Sequence, residues 1–183
     1  MAKVAVVFHS GYGHTQRLAQ SVAQGAAADL ITIDAEGNVP EAAWDTLAAA
    51  DAIIFGSPTY MGSVSWQFKK FADASSKPWY VQAWKDKIFG GFTNSANVDG
   101  DKHSTLHYFM TLAMQHGGLW AGTGMAYNNH KGSQRTDINY LASNAGPIAQ
   151  TPGDASADEM NAGDLETGRK YGERIAALAA KRG

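Results

Sequence analysis

The chain reads as an α/β protein, a three-layer doubly wound sandwich built on a five-stranded parallel sheet. Short apolar runs alternate with segments of helical periodicity, strand then helix, along the whole sequence. The runs Ala52-Ile53-Ile54-Phe55-Gly56 and Ile88-Phe89-Gly90-Gly91-Phe92 are apolar throughout, as strands covered on both faces must be. Short connections between these units imply parallel strands joined by right-handed crossovers.

Taken in order, a first strand at 3–8 enters a loop of small residues that opens a helix at 15–27, with Leu18, Val22 and Ala26 on one face. A strand at 30–34, a helix at 41–49, a strand at 52–57 and a helix at 64–74 follow. The pattern then gives a strand at 87–93, a helix at 104–116 and a strand at 119–122. Ser156-Ala157-Asp158-Glu159 is a capping-box signature for a last helix at 158–181, with Leu165, Ile175 and Leu178 as core contacts. The stretch from Met125 to Gly153, rich in Asn, Gly, Ser and Pro, reads as a long excursion, so residues 1–183 are expected to form a single domain.

Composition narrows the function. Apolar residues make up 44% and charged residues 17%, the balance of a globular chain. A net charge of −2 argues against nucleic acid, an anionic membrane surface, and a strongly acidic carrier that docks by charge. The absence of cysteine removes disulfides, thiolate nucleophiles and cysteine-bound clusters. Met1-Ala2-Lys3 leads directly into a strand too short for a signal-peptide core, and no apolar run has the length of a membrane span. A cytoplasmic location is expected.

The stretch Val4 to Thr15 is the most informative. A buried strand delivers Ser10-Gly11-Tyr12-Gly13-His14-Thr15 to a helix N-terminus, where free amides and the helix dipole favour an anion. Ser10 and Thr15 add hydroxyl donors, while Gly11 and Gly13 let the backbone curl around a phosphate. The loop lacks Lys and Arg, which suits a permanently held phosphate monoester better than a hydrolysed triphosphate. A Walker A loop is absent. A dinucleotide fingerprint would begin Gly11-x-Gly13, but Gln16 stands at the third glycine position, and Asp34 keeps that reading open. A loop of Ser/Thr-x-x-Gly-x-Thr character matches in full, and a glycine-rich turn that binds nothing is the plain alternative.

In open α/β sheets ligands sit outside the carboxyl ends of the strands, where the winding reverses. After the third strand comes Ser57-Pro58-Thr59-Tyr60-Met61-Gly62, in which Tyr60 and Met61 offer flat or polarizable surface to an aromatic ring. After the fourth comes Thr93-Asn94-Ser95-Ala96-Asn97-Val98-Asp99-Gly100, whose small residues allow a ring to approach backbone donors. Each loop alone is ordinary. Together, phosphate donors, an aromatic wall and backbone donors describe a site for flavin mononucleotide, FMN.

Lys3 through Thr15, Asp51 through Thr59 and His116-Gly117 resemble the WrbA family of flavodoxin-like NAD(P)H:quinone oxidoreductases, over nearly the whole chain. That resemblance implies a flavodoxin-like fold and non-covalent FMN, its phosphate held by Ser10 to Thr15. It places Pro58, Thr59, Tyr60, Met61 and Gly62, with Asn94, Ser95, Ala96, Asn97 and Gly100, around the isoalloxazine. His116 matches the second histidine of the family's His-His-Gly motif, beside the ring and catalytic. Trp79 falls at a substrate-pocket tryptophan, and Tyr12 near the nicotinamide. NAD(P)H is the implied co-substrate and a quinone or another flat acceptor the implied oxidant. The implied assembly is a homodimer or a homotetramer, the dimer being favoured by a short second connection. Tyr60-Met61 stands where the family has Arg-Phe, and Gln115 replaces the first histidine.

The opposing class is an electron carrier that binds FMN without substrate turnover. His116 has a structural alternative as a helix cap. His103 and His107 lie four apart without further ligands, so no metal is expected. His9, His14 and His130 occupy loop or strand-end positions, with His14 expected to serve through its backbone. Trp79, Tyr80 and Trp84 are flanked by Lys, Gln and Ser and read as a substrate lid or, equally, as a peripheral packing cluster or subunit contact.

Overall fold

The computed structural model describes residues 2–182. Its centre is β1 (Val4–His9), a fully buried strand paired in parallel with β2 (Asp29–Ile33) on one side and β3 (Ala52–Tyr60) on the other. Next to β3 lies β5 (Ile88–Ser95), also parallel, and with β6 (Leu119–Trp120) at the edge the order across the sheet is β2-β1-β3-β5-β6. The chain therefore winds outward from β1 in both directions, which is the expected doubly wound α/β sheet.

Alternation along the strands divides the core between two layers. Val4, Val6 and Phe8 face α1 (His14–Ala26) and α6 (Ala162–Ala180), packing against Leu18, Val22, Tyr171 and Ile175. Ala5, Val7, Ile53 and Phe55 face the other way, toward α2 (Glu41–Ala49), α3 (Trp66–Ala74) and α5 (Lys102–Gln115), where Phe68, Phe71, Trp84 and Phe109 fill the space. Helices cover both faces, giving the three layers.

Four details differ from expectation. The outer strand is split: β6 (Leu119–Trp120) pairs with the start of β5 and β7 (Ile148–Gln150) with its end. The excursion between them returns to the sheet, held by Trp120 Nε1 donating to the Ala145 carbonyl at 2.8 Å. A three-residue strand with one hydrophobic centre is too short to leave a pattern. Second, a hairpin folds β4 (Ser63–Val64) back on the end of β3. Third, a short helix α4 (Ser76–Tyr80) follows α3. Fourth, the Ser156–Glu159 capping box closes only a 3₁₀ turn, because Met160 takes an extended ψ of 142°. The long helix starts later, with Asn161 Oδ1 accepting from the Gly163 amide at 2.8 Å.

The aromatic run Trp79, Tyr80 and Trp84 is divided: Trp84 packs into the core, as the packing alternative had it, and the other two stay at the surface. Trp84 is completely buried and stacks with Trp44 and Phe71, whereas Trp79 is 48% exposed and Tyr80 83%. Helices α1 and α6 meet backbone to backbone: a Cβ on Gly172 would lie 2.0 Å from the Val22 carbonyl oxygen. Gly172→Ala should destabilise the protein by about 1–3 kcal/mol or more despite alanine's better helix propensity, because neither backbone can yield cheaply. Urea unfolding measures it, and an unchanged or raised stability would contradict this close approach.

Candidate functional site

Parallel register brings the loops together. Phe8 is opposite Gly56 in β3, and Pro58 is opposite Asn94 in β5, so the chain leaves three neighbouring strands at one edge. There a cleft of about 390 Å³ is lined by Ser10, Gly11, Tyr12, His14, Thr15, Pro58, Thr59, Tyr60, Asn94, Ser95 and Ala96, and by Thr151 and Gly153. The size is within the range of small-molecule sites. Residues from all three sequence-predicted loops meet in it.

The first loop presents donors. Ser10 Oγ accepts from the Gly13 amide at 3.1 Å, which folds the loop and leaves the hydroxyl proton to donate elsewhere. Gly13, with φ of 91°, adopts a left-handed conformation that favours glycine and forms the N-cap without a capping side chain. Among the described residues, the amides of His14, Thr15 and Gln16 have no hydrogen-bond acceptor. They are the unsatisfied first-turn donors of α1, aimed by the helix dipole. His14 does more than lend its backbone: its ring Nε2–H donates to the Ala155 carbonyl at 2.7 Å and ties the loop to the 151–157 segment.

The other walls are flat and neutral. A Cβ on Gly11 would sit 2.6 Å from the Tyr60 hydroxyl, so glycine is what admits Tyr60 against the loop. Tyr12 meets Tyr60 edge to face with ring centroids 6.4 Å apart, and burial raises the Tyr60 phenol pKa. Behind the cleft Thr59 Oγ1 lies 2.8 Å from both Thr93 Oγ1 and Thr105 Oγ1, joining β3, β5 and α5. Thr151 Oγ1 donates to Asn94 Oδ1 at 3.0 Å. Dipolar donors for a phosphate monoester at one end and an uncharged slot beside it fit the groups of FMN. Asp34 Oδ1 accepts from the Glu36 and Asn38 amides in its own turn, and Asp34 does not line the cleft.

Several expected residues lie elsewhere. Gly13 shapes the loop but does not line the cleft, and Met61 and Gly62 form the β3–β4 turn, with Met61 fully exposed in a neighbouring groove. Asn97 and Gly100 also lie outside the lining, in a loop that wraps Lys102. His116 and Trp79 line a different cleft with Ala72, Ser75 and Leu112, past the far end of α5, a helix about 20 Å long at 1.5 Å per residue. A ring held between Tyr60 and Asn94 is out of reach of His116 in the same chain.

His116 is buried beside Trp84, with ring centroids 4.3 Å apart. Ser75 Oγ gives its proton to the Ala72 carbonyl at 2.6 Å, so at 3.0 Å it accepts from His116 Nε2–H. Nδ1 is left as an unpartnered buried acceptor. Burial pushes the imidazole down to about 4, so it is neutral at pH 7.

Lys102, Thr151 and Gly153 escaped the sequence reading. Lys102 is almost fully buried at the start of α5, its ammonium among loop carbonyls, and burial lowers it to about 8 against the opposing pull of Asp99 and Asp164. Its spacing after the Asn94–Gly100 loop was the available signal, since a lysine at a helix N-terminus opposes the dipole and needs another reason to be there.

The NADPH-dependent FMN reductase family model matches residues 35–131. The chain is 56% identical over 178 residues to flavodoxin FldP of Pseudomonas aeruginosa, with 97% of each chain covered. It is 31% identical over 201 residues to an NAD(P)H dehydrogenase (quinone) of Azorhizobium caulinodans, covering 99% of this chain and 98% of that one. Among solved structures, a WrbA-like flavodoxin from Agrobacterium tumefaciens superposes with a TM-score of 0.82 at 52% identity over 100% of both chains.

The depressed His116 pKa has a stability consequence. Unfolded, the ring takes a proton below about pH 6.5, whereas folded it does so only near 4. Its contribution is therefore complete above about 6.5 and is lost as pH falls toward 4, with His9 acting in the same direction. Melting temperatures from pH 7.5 to 4.5 should fall less steeply in His116→Gln than in the native chain. Parallel curves would mean that the imidazole is not held neutral.

Proposed function

The chain belongs to the WrbA-like flavodoxin-fold family, and from that membership we propose that it is an FMN-dependent oxidoreductase passing hydride from NAD(P)H to a quinone or similar flat acceptor. The observation that carries the cofactor assignment is the row of unsatisfied amides at His14, Thr15 and Gln16, opening onto a cleft with an aromatic wall. Bound FMN supplies the hydride-accepting and hydride-donating chemistry.

The residues supply binding, orientation and exclusion of water. Ser10 and Thr15 donate hydroxyl protons to the phosphate, alongside the free amides. Tyr60 and Pro58 form one wall of the ring slot, and Asn94, Ser95 and Ala96 the other. Tyr12, 79% exposed at the mouth, is placed to stack on an incoming nicotinamide or quinone. Met61, Gly62, Asn97 and Gly100 set the turns that carry these walls.

His116 and Trp79 serve a second copy. Their cleft is remote from the cofactor cleft of their own chain, so they reach a bound ring only across a subunit interface, in a homodimer or a homotetramer. Exposed Trp79, Tyr80 and Val81 supply apolar surface for that contact. Pairing there would cover the His116 cleft and present its neutral imidazole to the partner's acceptor.

A second reading has an observation in its favour. The 56% identical relative is a flavodoxin by name, and within one chain the candidate catalytic histidine stands apart from the cofactor cleft. An electron carrier would bind FMN equally well and lack turnover.

Ser10→Ala combined with Thr15→Ala should release FMN on dialysis that leaves the native chain yellow, each lost charge-assisted bond contributing about 1.5–3 kcal/mol. Full retention would move the phosphate elsewhere. Purified protein with NAD(P)H and benzoquinone should oxidise the nicotinamide through many turnovers, and light scattering on the same sample should give at least a dimer. His116→Ala should cut turnover tenfold or more with FMN still bound. Stoichiometric reduction without turnover, from a monomer, would favour the carrier.

A further inference from the structure

Lys102 is the first residue of α5, where a cation opposes the helix dipole. Lys102 is 1% exposed, and among the described residues it forms no salt bridge. The three N–H groups of the ammonium are shared instead among Ser95 Oγ at 2.8 Å and the carbonyl oxygens of Asn97, Val98 and Asp99 at 2.5, 2.9 and 3.1 Å. Four oxygens around one nitrogen are an arrangement for a cation. Burying a charge this way is costly unless the ring of acceptors serves a purpose.

The purpose is legible in what the ring holds. Ser95 lines the cleft between Asn94 and Ala96. From the opposite side the same three residues are gripped by the split edge strand. Thr151 donates its hydroxyl to Asn94 Oδ1 and its amide to the Ser95 carbonyl, and Gln150 Nε2 donates to the Ala96 carbonyl at 2.7 Å. The cleft lining contains no lysine or arginine, so the Lys102 ammonium stands one hydrogen bond behind an otherwise uncharged wall. Asp164, one of the two carboxylates whose charge acts on Lys102, is already engaged by Arg135 in a bidentate pair at 2.6 Å. With Asp164 so engaged, no carboxylate among the described residues pairs directly with the ammonium, and Asp99 and Asp164 offset its charge only from a distance.

We propose that Lys102 is a positioning residue whose buried ammonium locks the Asn94–Ala96 wall and biases the cleft toward the more electron-rich, reduced form of the flavin. This rests on the reading of the cleft as the FMN site. Carbonyls drawn onto the ammonium fix the loop in one conformation, which lowers the ordering cost of binding. The same fixed positive charge, in a poorly solvated place, favours negative charge gained on reduction more than it favours the oxidised ring.

The test compares the native chain with Lys102→Met, which keeps the stem and removes the charge, and Lys102→Arg, which keeps the charge. FMN is added to each apoprotein and binding followed by flavin fluorescence quenching, with the midpoint potential taken by spectroelectrochemistry. Lys102→Met should bind oxidised FMN at least tenfold more weakly. It should lose about tenfold more again for reduced FMN, a fall of about 30 mV for a two-electron couple. Lys102→Arg should restore the potential more fully than the affinity. If Lys102→Met does not fold, Lys102→Gln, which removes the charge but keeps N–H donors for the loop oxygens, should shift the potential in the same direction. Unchanged affinity and potential in folded Lys102→Met overturn the proposal, as does a loss of affinity with no change in potential, which would leave a purely structural lysine. Failure of the native apoprotein to bind FMN would overturn the site reading itself, together with this inference.

Discussion

Parallel pairing of β1 with β3, and of β3 with β5, is the constraint on which the site depends. A register that sets Phe8 against Gly56 and Pro58 against Asn94 delivers three chain segments to one edge of the sheet at the same height. Gly56 makes the pairing possible, since a Cβ there would come within 2.4 Å of the Phe92 ring and 2.9 Å of the Phe8 Cβ. With the register set, the amides of α1, the Tyr60 ring and the Asn94–Ala96 backbone converge on one cleft. Helix α6, locked to α1 through Gly25, Gly168 and Gly172, then keeps the donor end of α1 from moving away.

Much of this was legible in the sequence because it rests on periodicity and on chemistry written in consecutive residues. Apolar strands covered on both faces, and a loop of small donor-rich residues before a helix, are local signals. Ser10, Gly11, Tyr12, His14 and Thr15 line one cleft together with Pro58 to Tyr60 and Asn94 to Ala96. What escaped depends on contacts far apart in sequence. Thr151 and β7 return to the sheet across a long excursion, and nothing in Ile148-Ala149-Gln150 distinguishes a strand from a loop. The polar neighbours of Trp84 leave lid and packing cluster equally open, although its own ring is wholly buried. The Ser156 capping box is real but caps the wrong element, since a single extended residue, Met160, resets the chain before α6 begins.

The histidine and tryptophan expected beside the flavin show how motif and geometry separate. His116 sits at the end of α5, which runs away from the cleft, and its ring is neutral, hydrogen-bonded to Ser75 and packed on Trp84. Within one chain it is an ordinary buried histidine. On the proposed reading, a role for it in electron transfer to a substrate requires a second copy, whereas the helix-end donors of the cofactor cleft come from one chain. The two halves of the functional reading therefore rest on different physics: helix-end donors for the cofactor, and subunit geometry for turnover.

The central claim is that dipoles and hydroxyls at the N-terminus of α1, without a cationic side chain, hold a phosphate. Equilibrium titration of the apoprotein with FMN and with riboflavin, which differ only in that phosphate, tests it directly. Several charge-assisted bonds predict at least about hundredfold tighter binding of FMN. Because no lysine or arginine lines the cleft, the preference should persist in high salt. Equal affinity for the two flavins would contradict the account, whatever the protein's activity.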